Sequence, residues 1–304
     1  MDKVYDMIIV GGGPGGYTAA LYAVRAGLDV LLIERLSAGG QMNLTGLIDN
    51  YPGFPEGIEG FMLSMNMQQQ AERFGAQTHY AEVLKLELAG EVKSVHTNDG
   101  LYKAKTVVIS TGANPRQLGL VREKEMIGKG VAYCAHCDGG FYRGKTVVVA
   151  GGGNSAAAEA LYLSRIAKEV ILIHRRDSLR ATPIYHKPLM EAPNIRFLWD
   201  SEIVELQGEE VLSGVKVRNK KSGEVQLVEA QGLFVSIGRK PATELVKDEL
   251  TLDGAGYIMA GEDTRTNIPG VYAVGDVRTK ELRQIVTAVA DGAMAAHMAE
   301  GYLT

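Results

Sequence analysis

Cysteine is nearly missing from this chain: its 304 residues hold two, Cys134 and Cys137. That excludes a secreted scaffold stapled by several disulfides, and it leaves a lone C-x-x-C, which in a reducing compartment is redox-active or metal-binding. No apolar run approaches the ~18 residues that span a bilayer. With 32 basic and 36 acidic residues the formal net charge is −4, which excludes a basic footprint for nucleic acid or an anionic membrane spread over the surface. The opening MDKVYDMIIV enters a strand pattern at once and leaves no space for a secretory signal. A cytoplasmic protein without membrane or nucleic-acid partners is expected. Glycine, by contrast, is abundant, with 37 residues against an average near ~7%. Tight turns and close approaches of backbone to ligand follow, and the length suggests about two domains.

The chain reads as one plan used twice. An apolar run at 5–10 is followed by glycines from Gly11 to Gly16, helical spacing from Tyr17 to Ala26, and a second apolar run at 30–33 ending in Glu34. The order recurs as a strand at 145–150, a turn from Gly151 to Ala156, a helix over 157–167 and a strand at 170–173. Both bends carry G-x-G-x-x-G or G-x-G-x-x-A, through Gly11, Gly13 and Gly16 and through Gly151, Gly153 and Ala156. Such glycines make a tight turn, admit a pyrophosphate to the backbone and let helix and strand pack closely. Phosphate then rests on the positive end of each helix, where free N–H groups are available, with Pro14 in the first turn and Asn154 and Ser155 in the second as further candidate contacts. Strand-like segments follow each unit, at 83–88, 92–96 and 106–110 and then at 203–206, 211–217, 225–228 and 233–237. The residues from 244 onward have no glycine fingerprint of their own and must complete one of the two domains. Their helical spacing resumes from about Glu281 in an Ala/Met-rich stretch that reads as plain packing.

The copies differ where a Rossmann acid binds ribose, ~20 residues beyond the glycines. Glu34 stands 23 residues after Gly11, whereas the same offset from Gly151 holds His174, followed by Arg175, Arg176 and, slightly further, Arg180. A carboxylate repels a 2′-phosphate, and guanidinium groups bind one through charge-assisted pairs. The first site therefore suits a free ribose, as in FAD or NAD, and the second suits NADPH. Two dinucleotides in one chain suggest a hydride relay through a flavin. The Cys134–Cys137 segment lies just before the second unit. Its thiols can form an easily reduced disulfide that exchanges through a mixed intermediate. A zinc site needs four ligands, and His136 is the only further local candidate, so no metal is expected. Asp138 serves either a thiol proton or the turn.

From these residues the sequence resembles the low-molecular-weight, flavin-containing thioredoxin reductases, class II of the pyridine nucleotide-disulfide oxidoreductases. The resemblance covers nearly the whole chain. It runs through the turn at 11–16, Gly39 to Met42, Asp49 to Gly53, Thr111 to Ala113, Cys134 to Gly139, the turn at 151–156, His174 to Arg176, Asn267 to Asp276 and Arg283 to Thr287. The resemblance implies an α/β fold of two Rossmann-like, three-layer ββα dinucleotide-binding domains, one inserted in the other. An FAD domain over 1–115 and 246–304 would enclose an NADPH domain over 116–245. It further implies FAD contacts from Gly40, Gln41, Thr45, Asn50, Thr111, Gly112 and Asp276, with Arg283, Gln284 and Ile285 starting the last helix beside the flavin. Cys137 would take electrons from flavin, Cys134 would attack the disulfide of thioredoxin or a similar protein, and Asp138 would be the acid–base residue.

In the family a homodimer is usual, and the NADPH domain rotates to present nucleotide and disulfide to the flavin in turn. His136 departs from the small or β-branched residues common in the family, and Ala158 from its frequent glutamate, while Glu159 is kept. A flavin-dependent dithiol oxidase, or a reductase fed by another donor such as ferredoxin, is the alternative, and neither needs Arg175 and Arg176. A non-enzymatic nucleotide-sensing or metal-holding module would leave the cysteines without turnover.

Overall fold

The computed structural model describes residues 3–44 and 47–304. Thr45, one of the expected flavin contacts, lies outside the described residues. The chain divides into two units, Met1–Asn114 with Lys240–Thr304, and Pro115–Arg239.

In the first unit the strand Val4–Val10 runs parallel between Val30–Glu34 and Leu101–Ile109. Gln77–Tyr80 extends one edge, and Val271–Ala273, from the C-terminal segment, pairs parallel with the end of Leu101–Ile109. The beginning of Leu101–Ile109 instead pairs antiparallel with Lys93–Thr97, which pairs in turn with Val83–Glu87. Side chains alternate across a strand, and that alternation builds the layers. Ile8 and Val10 pack with Leu86, Val95 and Ile258 on the meander side. Met7 and Ile9 pack on Ala19, Ala20, Ala23, Ala295 and Ala299 of the helices Pro14–Arg25 and Ile285–Leu303. Small side chains on both helices let them approach the sheet and one another closely.

The second unit repeats the arrangement. Its parallel sheet orders Val131–Ala132, Gly232–Val235, Thr146–Ala150, Glu169–Ile173 and Ile195–Leu198. Val147 and Val149 face Ala156, Ala157 and Ala160 of the helix Asn154–Ser164, whereas Val148 and Ala150 face Val215, Val217 and Val228 of an antiparallel meander. Each unit is thus helix, parallel sheet and meander in three layers, the α/β class expected.

Several boundaries differ from the sequence reading. Both glycine-turn helices start three residues earlier than their apolar spacing indicates, at Pro14 and Asn154, because the turn itself supplies the first helical turn and proline suits that position. The strand expected over 211–217 is Gly214–Asn219. Its first residues form a loop in which Leu212 is buried and donates its N–H to the Lys129 carbonyl at 2.8 Å. The last helix starts at Ile285, not near Glu281, because Gln284 caps it in a reciprocal box with Thr287.

Ile9 is fully buried between sheet and helices while Val225 is half exposed. Ile9→Ala is expected to cost about 2–4 kcal/mol, and Val225→Ala to stay within about 0.5 kcal/mol, both read by urea denaturation.

Candidate functional site

The first glycine turn is shaped by collision. Gly11 has φ +105°, and a Cβ there would lie 2.4 Å from the Ser110 carbonyl oxygen; one on Gly16 would lie 2.1 Å from that of Gly11. Gly13 caps the helix, with Pro14 following and open space around it. The free N–H groups of the first helical turn are the usual seat of an anion. Glu34 closes the next strand. Its Oε2 accepts from Gly12 N at 2.7 Å and its Oε1 from Leu36 N at 3.1 Å, and each oxygen keeps a lone pair for a hydroxyl.

The remaining expected flavin residues in this unit are tied together by their own hydrogen bonds. Gly39 N donates to the Gly12 carbonyl at 2.7 Å, which sets the short 3₁₀ helix Gly40–Leu44 beside the turn. From it Gln41 donates to Asn114 at 3.0 Å, while Asn50 donates to the Gln284 side chain at 2.9 Å. Thr111 donates to the Ala242 carbonyl at 2.7 Å, and the Gly112 carbonyl accepts from Ala242 N. Arg283 lies 4.0 Å over the Tyr257 ring and donates to the carbonyls of Asp276 and Arg278. Asp276 sits in the 3₁₀ turn Gly275–Val277, and Ile285 opens the capped final helix. Glycines that a Cβ would block, a carboxylate with lone pairs left over, and a helix start next to open space fit FAD.

The second turn repeats the backbone and inverts the charge. A Cβ on Gly151 would again lie 2.4 Å from a serine carbonyl, that of Ser236. Gly153 caps its helix in open space, with Asn154 and Ser155 exposed in the first turn. Gly152 lies against His174: a Cβ there would meet its Nδ1 at 2.3 Å. His174 is therefore a buried wall beneath the turn and not part of the exposed cationic surface. Burial, and then Arg176, Arg175 and Arg180, hold its pKa below the usual imidazole value, so it is neutral at pH 7. The Gly152 carbonyl accepts from Arg180 N at 2.7 Å and Ala181 N at 3.1 Å, and Asn154 Oδ1 from Thr182 N at 2.8 Å. Those bonds bring the Arg180 loop to the glycines. Arg175, Arg176 and Arg180 are exposed, and among the described residues none of them forms an ion pair. Three guanidinium groups without a counter-charge beside a glycine turn fit a nucleotide carrying an extra phosphate.

In the same unit Cys134 and Cys137 form a disulfide. Cys134 caps the short helix Ala135–Asp138, its Sγ accepting from Cys137 N at 3.2 Å. Burial pushes the Asp138 carboxyl up to about 6, so this acid gives up its proton at a markedly higher pH than an ordinary carboxyl. Beneath the helix Glu159 accepts from the Ser236 hydroxyl and from the Ala135 backbone N–H. Burial raises its pKa, and the neighbouring Asp138 raises it further. The sequence reading noted Glu159 only as a retained residue and missed Ser236. The signal was available in the repeat, because Ser236 directly follows its strand as Ser110 does in the first copy. The His136 side chain lies outside the described residues. Among the described residues no group of three or more His, Cys, Asp or Glu side chains is placed to hold a metal ion, and no helix is long and apolar enough to cross a membrane.

The raised pKa of Asp138 has a sign. Its folded value, about 6, exceeds the ordinary 3.8, so the folded state is penalised once the carboxyl must ionise. Between pH 4 and 6 the disulfide form of wild type is expected to lose stability relative to Asp138→Asn. A melting-temperature difference constant across that window would contradict the burial of this acid.

The family model of the pyridine nucleotide-disulphide oxidoreductases matches residues 5–292. The thioredoxin reductase of Streptomyces coelicolor is 45% identical over 100% of this chain and 95% of its own length. That of Peptoclostridium acidaminophilum is 41% identical over 100% and 98%. Among solved structures, the thioredoxin reductase from Streptococcus pyogenes superposes with a TM-score of 0.92 at 45% identity, covering 100% of this chain and 99% of that one. The chain belongs to the pyridine nucleotide-disulphide oxidoreductase family and, within it, to the low-molecular-weight thioredoxin reductases.

Proposed function

We propose that this protein carries reducing equivalents from NADPH, through FAD, to the Cys134–Cys137 pair and on to the disulfide of thioredoxin or a thioredoxin-like protein. In this reading Met1–Asn114 with Lys240–Thr304 is the FAD domain and Pro115–Arg239 the NADPH domain. The observation that carries it is the disulfide between the only two cysteines, held in a unit whose glycine turn is flanked by three unpaired arginines. FAD, when bound, supplies a two-electron carrier between the nicotinamide and the disulfide.

The chain's own residues account for the rest. Gly11, Gly13, Pro14 and Gly16 bring backbone to the flavin nucleotide's pyrophosphate, and Glu34 accepts from its ribose hydroxyls. Gly151, Gly153, Asn154 and Ser155 do the same for NADPH, with Arg175, Arg176 and Arg180 on the 2′-phosphate and His174 as the neutral floor. Reduction of the disulfide adds two electrons and two protons, leaving two thiols. The Cys134 thiolate then attacks the substrate disulfide, forming a mixed disulfide and expelling one substrate thiolate, which takes up a proton. Cys137 attacks Cys134 Sγ, restores the internal disulfide and releases the second substrate thiol. Asp138, whose raised pKa of about 6 makes it an acid–base group a thiol can exchange a proton with, would be the proton donor, and Cys137 would be the thiol that receives electrons from FAD. A ferredoxin-fed reductase or a dithiol oxidase has no use for the three arginines. A cytoplasmic homodimer completes the reading, checked by light scattering for twice the chain mass.

Anaerobic titration of the yellow protein tests donor and cofactor together: NADPH is expected to bleach the flavin at far lower concentration than NADH. Cys137→Ser is expected to abolish thioredoxin reduction while the flavin remains reducible by NADPH; retained disulfide reduction in that variant would remove the reading. Replacing Arg175 and Arg176 with alanine is expected to raise KM for NADPH by about 10- to 100-fold, the loss of one or two charge-assisted pairs, and to leave KM for NADH nearly unchanged.

A further inference from the structure

The inner side of the final helix is made of Ala288, Gly292, Ala295, Ala296 and Ala299, with one exception, the buried Asp291. Its carboxylate is saturated. Arg278 donates through Nε to Oδ2 at 2.9 Å and through Nη2 to Oδ1 at 2.8 Å. Lys280 donates to Oδ2 at 2.6 Å, and the backbone N–H of Gly275 to the same oxygen at 2.8 Å. The side chains of Arg278 and Lys280 are themselves buried. Arg278 spends its remaining nitrogen on the carbonyls of Ala260 and Thr279, and Lys280 reaches the Thr287 carbonyl.

A buried cluster of this kind is a poor source of stability, since desolvating the charges offsets their attraction. What it does supply is register. Gly275 has φ +72°, a conformation open to glycine that lets its N–H turn back to Asp291. The next residue along the helix, Gly292, makes an equally close contact on another element: a Cβ there would lie 2.3 Å from the carbonyl oxygen of Gly15. Two consecutive helical residues therefore hold both the turn that carries Asp276 and the helix start that follows Gly11 and Gly13.

We propose that Asp291 is a positioning residue for the flavin: gripped by Arg278 and Lys280, it fixes the Gly275–Val277 turn in register with the first glycine turn, so that both present their backbone to one dinucleotide. The inference rests on the FAD reading above. Removing the charge from Asp291 leaves two buried cations uncompensated against the turn and disturbs its register, while leaving every expected FAD-contacting residue intact.

The test uses FAD-free full-length protein titrated with FAD, read by flavin fluorescence. If wild type does not bind, the FAD reading itself fails and the inference falls with it. If wild type binds, Asp291→Asn is expected to weaken FAD by about 10- to 100-fold, the scale of loss for a broken buried pair or a ligand-orienting partner. Adding Lys280→Met, which removes the stranded ammonium, is expected to recover affinity to within about 5-fold of wild type. A merely structural role for Asp291 predicts no such rescue. FAD affinity of Asp291→Asn within about 2-fold of wild type, or a double variant no better than the single one, overturns the proposal. Should the single variant not fold, hydrogen exchange of FAD-free wild type decides. The peptide carrying Gly275 is expected to be as protected as the middle of the final helix, and exchange at the rate of an exposed loop overturns the proposal.

Discussion

Twice in this chain a strand runs into a helix through a glycine whose missing Cβ would stand 2.4 Å from a serine carbonyl on the neighbouring strand. Any other residue at Gly11 or Gly151 would force the turn away from the sheet. The close approach aims the helix start across the strand ends and leaves Gly13 and Gly153 facing open space. The open helix starts, the reach of Glu34 to Gly12 and the packing of Arg180's loop on Gly152 all depend on that approach. The Ala-rich inner faces of the helices complete it, because larger side chains would lift the helix from the sheet and open the turn.

On this common frame the two units differ mainly in the charge at the end of the following strand. In one, Glu34 accepts from two backbone N–H groups and keeps a lone pair on each oxygen. In the other, a neutral buried His174 takes the place of the carboxylate, and three arginines gather outside it. The two units thus exchange charge sign on an unchanged backbone. The redox pair sits on a four-residue helix that ends in Asp138 and lies over Glu159, two acids with raised pKa values. Burial, more than their neighbours, raises both above the usual carboxylate range.

The glycine spacing, the apolar strand runs and the offset from Gly11 to Glu34 are local features, and the two strand–turn–helix–strand units followed from them, whereas the three-layer class came with the family resemblance. Boundaries followed less well. Apolar spacing cannot see a helical turn made of Gly, Pro, Asn and Ser, so both glycine-turn helices were read three residues short. The helices Gly60–Arg73 and Pro183–Glu191 went unassigned, the first polar over much of its length and the second interrupted by Pro188. At the site, His174 read as one more cation because a sequence does not show burial. Asp291 was absorbed into a helix read as plain packing, although a lone carboxylate among alanines and glycines was a visible anomaly.

The amino-acid order by itself determined the repeated strand–turn–helix plan, the difference in charge between its two copies and the single dithiol, since each is a matter of neighbours within a few dozen residues. Only the tertiary structure decided which polar groups meet across long separations. Glu159 lies under the Cys134 helix, Ser236 bonds to Glu159, and Asp291 closes on Gly275, Arg278 and Lys280. The reason is physical: a buried charge is tolerable only beside its partners, and which partners arrive depends on how helices and sheet pack.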